Sequence, residues 1–161
     1  MTFLIILFII SLLLESLVPN MIREFIPFFM IATLVILNYF KDYDDKRLLL
    51  IFVFGVLYDL FYTDLVLFHA FVYSFLFLLS TLIIKEKKNF FLMLFAYYLL
   101  IILYSLFMYL FSSLYMTINL INIINTTVKS LLINSLYFIF IYLIFIGIKC
   151  LICNRRKKRT Y

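Results

Sequence analysis

Apolar residues run almost unbroken along this chain, and short polar breaks divide them into six segments. Nowhere do apolar and polar positions alternate for long, as they would in a half-buried strand or a membrane barrel. A bilayer-crossing helix needs roughly 17–25 mostly apolar residues. The segments 2–18, 26–40, 48–62, 64–84, 90–115 and 128–153 meet or approach that length. The first is expected to stop at Pro19-Asn20. Pro27 suits the opening turn of the second, where no intrahelical donor is lost. Lys41 to Arg47 reads as a solvated loop, Thr63 or Asp64 as the N-cap of the fourth helix, and Lys85 to Lys88 as the next break. A polar stretch with Asn119, Asn122, Asn125, Thr126 and Thr127 leads into the last helix. The pattern predicts an all-α fold, a polytopic integral membrane protein built as a six-helix transmembrane bundle. One transmembrane domain covers 1–154, and a basic cytoplasmic tail covers 155–161.

Composition strengthens this reading. The chain is 161 residues long and 68% hydrophobic, against roughly 45–50% in soluble globular domains. Mean hydropathy is +1.20. Two glycines and two prolines are too few for a turn-rich barrel or a flexible linker. The N-terminal run has no Lys or Arg before it and no A-x-A cleavage pattern, so it reads as a retained helix and not as a secretion signal.

The formal charge of +6 is clustered between apolar runs, which fits membrane topology and not a nucleic-acid surface. With the N-terminus inside, twelve of the fourteen Lys and Arg fall on the inner side: Lys41, Lys46, Arg47, Lys85, Lys87, Lys88, Lys149 and the run Arg155, Arg156, Lys157, Lys158, Arg159. Only Arg23 and Lys129 lie outside. The positive-inside rule therefore predicts both termini in the cytoplasm. The terminal run is expected to rest on anionic lipid, at about 1 kcal/mol per basic residue.

Candidate chemistry is sparse. Cys150 and Cys153 form a lone C-x-x-C, short of the four ligands of a structural zinc site, and read as tolerated small hydrophobes; juxtamembrane lipidation is the weaker alternative. Asn125-Thr126-Thr127 matches a glycosylation acceptor in an outer loop. No nucleophile, base and orienting group come together, so neither catalysis nor a cofactor or metal site is expected. Ionisable groups within apolar spans are costly and point to a polar core or a function. Here they are Glu15, Asp59 and His69. At about 1.5 Å per residue, all three fall within one helical turn of the same depth near the outer surface, with Asn134 at a similar level. Leu48, Phe52, Gly55, Asp59 and Tyr62 share one helix stripe, on which Gly55 lets a neighbouring backbone approach. His69, Tyr73 and Ser80 share a face of the next helix, so Asp59 and His69 are placed to hydrogen-bond across the hairpin. The bland alternative is that Glu15 and Asp59 only snorkel toward headgroups and that His69 is a satisfied interfacial side chain.

The segment FVFGVLYDLFYTDLVLFHAFVYSFL resembles the characteristic stretch of the MreD family, the rod shape-determining membrane proteins of bacteria. The resemblance rests on Gly55, on Asp59-Leu60 four residues later, and on His69-Ala70 entering the next helix. Pro27, the length, the six apolar spans and the basic tail also fit. The chain departs from the family pattern in the turn, where Thr63 and Leu65-Val66-Leu67 replace Gly and Pro-Leu-Gly. The resemblance implies a non-enzymatic component of the cell-elongation machinery in the bacterial plasma membrane. It also implies contacts with an MreC-like membrane protein and the peptidoglycan synthase complex. The stripe of Gly55 and Asp59 would be a partner surface, or the internal polar core supporting one. Two rival functions are a substrate-binding subunit of an energy-coupling-factor vitamin transporter and a lipid-processing or flipping enzyme. The first helix lacks the small-residue face by which such transporter subunits dock, and the catalytic side chains of such an enzyme are missing.

Overall fold

The computed structural model describes residues 2–21, 26–40, 45–63, 67–84, 89–114 and 120–157. Among them are six α-helices and no strands: α1 (Thr2–Met21), α2 (Phe29–Phe40), α3 (Asp45–Tyr62), α4 (Phe68–Ile84), α5 (Phe90–Ser113) and α6 (Leu120–Lys157). α5 and the Leu120–Gly147 part of α6 are long and apolar enough to cross a membrane; the apolar helices Ile5–Pro19, Phe29–Asn38 and Phe68–Ile84 are shorter.

The core is organised around α2. Every residue from Ile31 to Asn38 is buried, because α1, α4, α5 and α6 all pack against this one helix. A helix enclosed on all sides has to be apolar all round, and FMIATLVILNYF is nearly so. Its polar members are matched across interfaces. Thr33 Oγ1 lies 2.7 Å from Ser11 Oγ of α1, and Asn38 donates to Ser80 Oγ of α4. α3 and α4 form the most extensive helix pair, a tight hairpin. The outer surface is apolar as well: Leu82, Phe91, Ile102 and Leu132 are each more than 60% exposed.

Several boundaries differ from the sequence expectation. α1 continues through Pro19 to Met21. A proline removes only the bond to the carbonyl four residues back, and the residues after it can still close the final turn. α2 begins at Phe29, so Pro27 stands two positions ahead of the helix and not in its first turn. The residue before a proline is pushed toward extended backbone. The first helical carbonyl acceptor is accordingly Phe28, bonded by Ala32 N at 3.1 Å.

α3 takes in Asp45, Lys46 and Arg47, and Arg47 is buried instead of solvated; positions 41–44 lie outside the described residues. α4 begins at Phe68, past both residues expected to cap it, and Asp64 is itself outside the description. α5 stops at Ser113. α6 starts eight residues early, at Leu120, so the Asn- and Thr-rich stretch from Asn122 to Thr127 is helical and the glycosylation acceptor Asn125-Thr126-Thr127 sits in a helix, not a loop; Asn119 lies outside the described residues. It also runs on through the tail to Lys157. Lys158 and Arg159 fall outside the described residues.

Candidate functional site: a buried polar core at two helix starts

The hairpin of α3 and α4 closes on Gly55 and Asp59. Gly55 faces the backbone of α4 so closely that an added Cβ would lie 2.4 Å from Ala70 Cα and 2.6 Å from Ala70 N. That approach brings the start of α4 against the Asp59 carboxylate, which is 3% exposed. The first amides of any helix have no intrahelical partner. Asp59 supplies one from the preceding helix: its Oδ2 accepts from His69 N at 2.9 Å and from Ala70 N at 3.4 Å. Oδ1 lies 2.6 Å from His69 Nδ1 and accepts from Thr63 Oγ1 at 3.1 Å. The negative charge also lies at the positive end of the α4 dipole.

Asp59 accepts from both amides and from Thr63, and with Nδ1 of His69 as donor to Oδ1 it accepts from every neighbour it touches. In the neutral imidazole, Nε2 then accepts from the Tyr104 hydroxyl of α5, 3.0 Å away. Asp59, His69 and Tyr104 form one hydrogen-bonded chain across three helices. The Tyr58 ring, with its centroid 4.5 Å from that of the imidazole, and Tyr73 close the space around it. With His69 1% and Tyr104 8% exposed, the hydrogen-bonded chain is enclosed among the described residues.

A second carboxylate does the same for α2. Glu15 of α1, 6% exposed, accepts from Met30 N at 2.7 Å through Oε1; its buried Oε2 has no partner among the described residues. The extended residues just before α2 are held from α6. Asn134 Oδ1 accepts from Phe28 N at 2.8 Å, Asn134 Nδ2 donates to Ile26 O at 2.9 Å, and Ser130 Oγ accepts from Ile26 N at 2.9 Å. Tyr97 adds longer bonds from its hydroxyl to Phe28 O and Asn134 O. Phe28, edge-on to Tyr104 with ring centroids 5.9 Å apart, joins the two halves of the core.

The structure therefore brings Glu15, Asp59, His69 and Asn134 into one polar region. Gly55 and Asp59 are turned toward α4 and spent on contacts inside the chain, so their own atoms offer no free surface. On α3 the buried stripe is Ile51, Phe54, Gly55 and Asp59; Tyr62 is exposed and Leu48 and Phe52 are only half-buried. On α4 the predicted face of His69, Tyr73 and Ser80 is buried. Tyr104 and Ser130 are additions that sequence reasoning missed, and Thr63, expected to cap the fourth helix, instead donates to Asp59. Ser130 has a signal: Thr127, Ser130 and Asn134 recur at helical spacing and are all buried on α6. Cys150 is exposed, and among the described residues no three His, Cys, Asp or Glu side chains cluster to hold a metal ion.

No protein-family model, curated protein sequence or solved structure matches this chain.

Proposed function

We propose that this chain is a non-enzymatic, multi-pass component of a bacterial cell-elongation machinery, akin to the MreD family. It has six membrane-embedded helices in the plasma membrane and both termini in the cytoplasm. The observation carrying the reading is that the residues of the resemblance act as one unit. Gly55 admits the α4 backbone, Asp59 caps it, and His69-Ala70 provides the capped amides. A motif whose members need one another in space is stronger support than the same letters at fixed spacing. The membrane setting is supported by the two long apolar helices and by outward-facing side chains that would drive aggregation in water. The distribution of Lys and Arg supports the orientation.

Asp59, His69, Tyr104 and Asn134 engage one another or backbone, which favours a scaffold over a transporter subunit that must present polar groups to a ligand. Binding to an MreC-like partner would then use helix faces in lipid. The hairpin holds its outward face, with Leu60 and Phe61 each 70% exposed, in a fixed register with the core. Photo-crosslinking from Leu60 in native membranes tests this directly: an MreC-like single-span protein or a peptidoglycan synthase component is expected among the products. Depletion of the chain is expected to turn rod-shaped cells round. Cells that keep their shape without it, or thermal stabilisation of the purified chain by a vitamin, would overturn the reading in favour of the transporter alternative.

A further inference from the structure

α5 and α6 are consecutive and antiparallel, yet they part over half their shared length. The parting leaves a cleft of about 410 Å³ that runs from Tyr98 to Tyr109 on α5 and from Leu120 to Leu131 on α6. Its walls are apolar, Ile102 and Leu106 on one side and Ile123 and Ile124 on the other, and it is open laterally: Ile102 is 62% exposed and Ile124 51%. At its floor Ser105 and Thr127 face each other with their hydroxyls 3.4 Å apart, so the polar groups there have a partner within the chain.

The eleven helical steps from Tyr98 to Tyr109 rise about 16 Å, close to one leaflet of a hydrocarbon core about 30 Å thick. Beyond that depth the two helices close. Tyr98 hydrogen-bonds to Ser135 at 2.8 Å, Tyr97 stacks on Phe138 with ring centroids 4.8 Å apart, and Phe90 meets Tyr142 at 4.8 Å. A spanning helix from a partner or a second copy would need a groove running through both leaflets. A non-helical protein segment would leave backbone amides unpaired in hydrocarbon. A single extended hydrocarbon tail satisfies the length, the apolar walls and the lateral opening together.

We infer that the α5–α6 cleft is a lipid-binding site for one phospholipid acyl chain, from the leaflet in which α5 ends and α6 begins. The inference rests on the membrane-embedded reading above. Seated there, the chain fills a gap that would otherwise be an empty apolar void between two helices and forfeit their packing.

The test uses the full chain in vesicles that contain phosphatidylglycerol with a photoactivatable acyl chain. Crosslinks are expected to concentrate at Ile102, Leu106, Ile123 and Ile124. In native mass spectrometry from mild detergent with dipalmitoyl phosphatidylglycerol, one retained lipid is expected per chain. Its occupancy should fall at least tenfold in Ile123→Trp and Ile102→Trp, which fill the cleft from opposite walls. It should not change in Leu132→Trp, on the exposed side of α6. Crosslinks spread evenly over the outward faces of all helices, equal lipid retention in all variants, or a disulfide-linked dimer through Ile124→Cys that displaces the lipid would each overturn the inference. Alkaline carbonate extraction separates this from the parent reading. Release of the chain from membranes overturns both, whereas retention with scattered crosslinks overturns the cleft alone.

Discussion

At Gly55 a single methyl group decides whether two helices can meet. An alanine there would put Cβ 2.4 Å from a backbone atom, and a backbone cannot swing aside like the end of a side chain. Gly55→Ala is expected to destabilise the folded chain by about 1–3 kcal/mol, read as a lower unfolding midpoint in detergent. Leu67 presents the opposite case. It sits at φ 66, in the left-handed region, at the entrance to α4. A branched aliphatic side chain there costs about 1–2 kcal/mol, and this is a position where the resembled family carries glycine. Leu67→Gly is expected to raise the midpoint, with a gain near 1 kcal/mol once the added freedom of the unfolded chain is subtracted. A lower midpoint would mean that contacts of the Leu67 side chain outweigh the strain.

The element that organises the molecule is the short helix α2, whose start depends on side chains from both ends of the chain. Glu15 holds Met30 N through one oxygen and leaves the other unpartnered among the described residues. Glu15→Gln keeps an acceptor for the Met30 amide at the same place, so its stability should match that of the parent. Glu15→Ala, which orphans the amide, should lose about 1–3 kcal/mol. Equal losses in both would show that accepting from the Met30 amide is not what Glu15 contributes.

The contact between Asp59 and His69 is legible in the sequence, because a carboxylate and an imidazole ten residues apart on either side of a tight turn have little choice but to meet. The partner of Glu15 is not. It is a backbone amide, freed only because Pro27 delays the helix to Phe29. Tyr104 is equally hidden, since α5 is apolar on every side and its periodicity does not say which tyrosine faces inward. The early start of α6 escapes notice because Asn and Thr favour loops intrinsically. Here Thr126 and Ser130 instead return their hydroxyls to carbonyls one turn back, at 2.9 and 2.7 Å, and the helix persists.

For the molecule as a whole, orientation is the quantity most open to measurement. On the proposed orientation, which puts both termini in the cytoplasm, a cysteine introduced by Tyr161→Cys in a chain lacking Cys150 and Cys153 should resist a membrane-impermeant thiol reagent in intact cells and react once the membrane is opened. Labelling before permeabilisation would reverse the threading and strip the twelve-to-two charge distribution of its meaning.

The bonds that seat the start of α2 reach far along the chain. Ile26 and Phe28 are held by Ser130 and Asn134, more than a hundred residues later. During synthesis these residues emerge long before their acceptors exist, so the first hairpin must wait, incompletely satisfied, until the final helix arrives. Assembly of this small protein is then a closing act and not a stepwise accretion. A chain truncated ahead of Ser130 should be recognised by quality-control proteases however well its earlier helices insert.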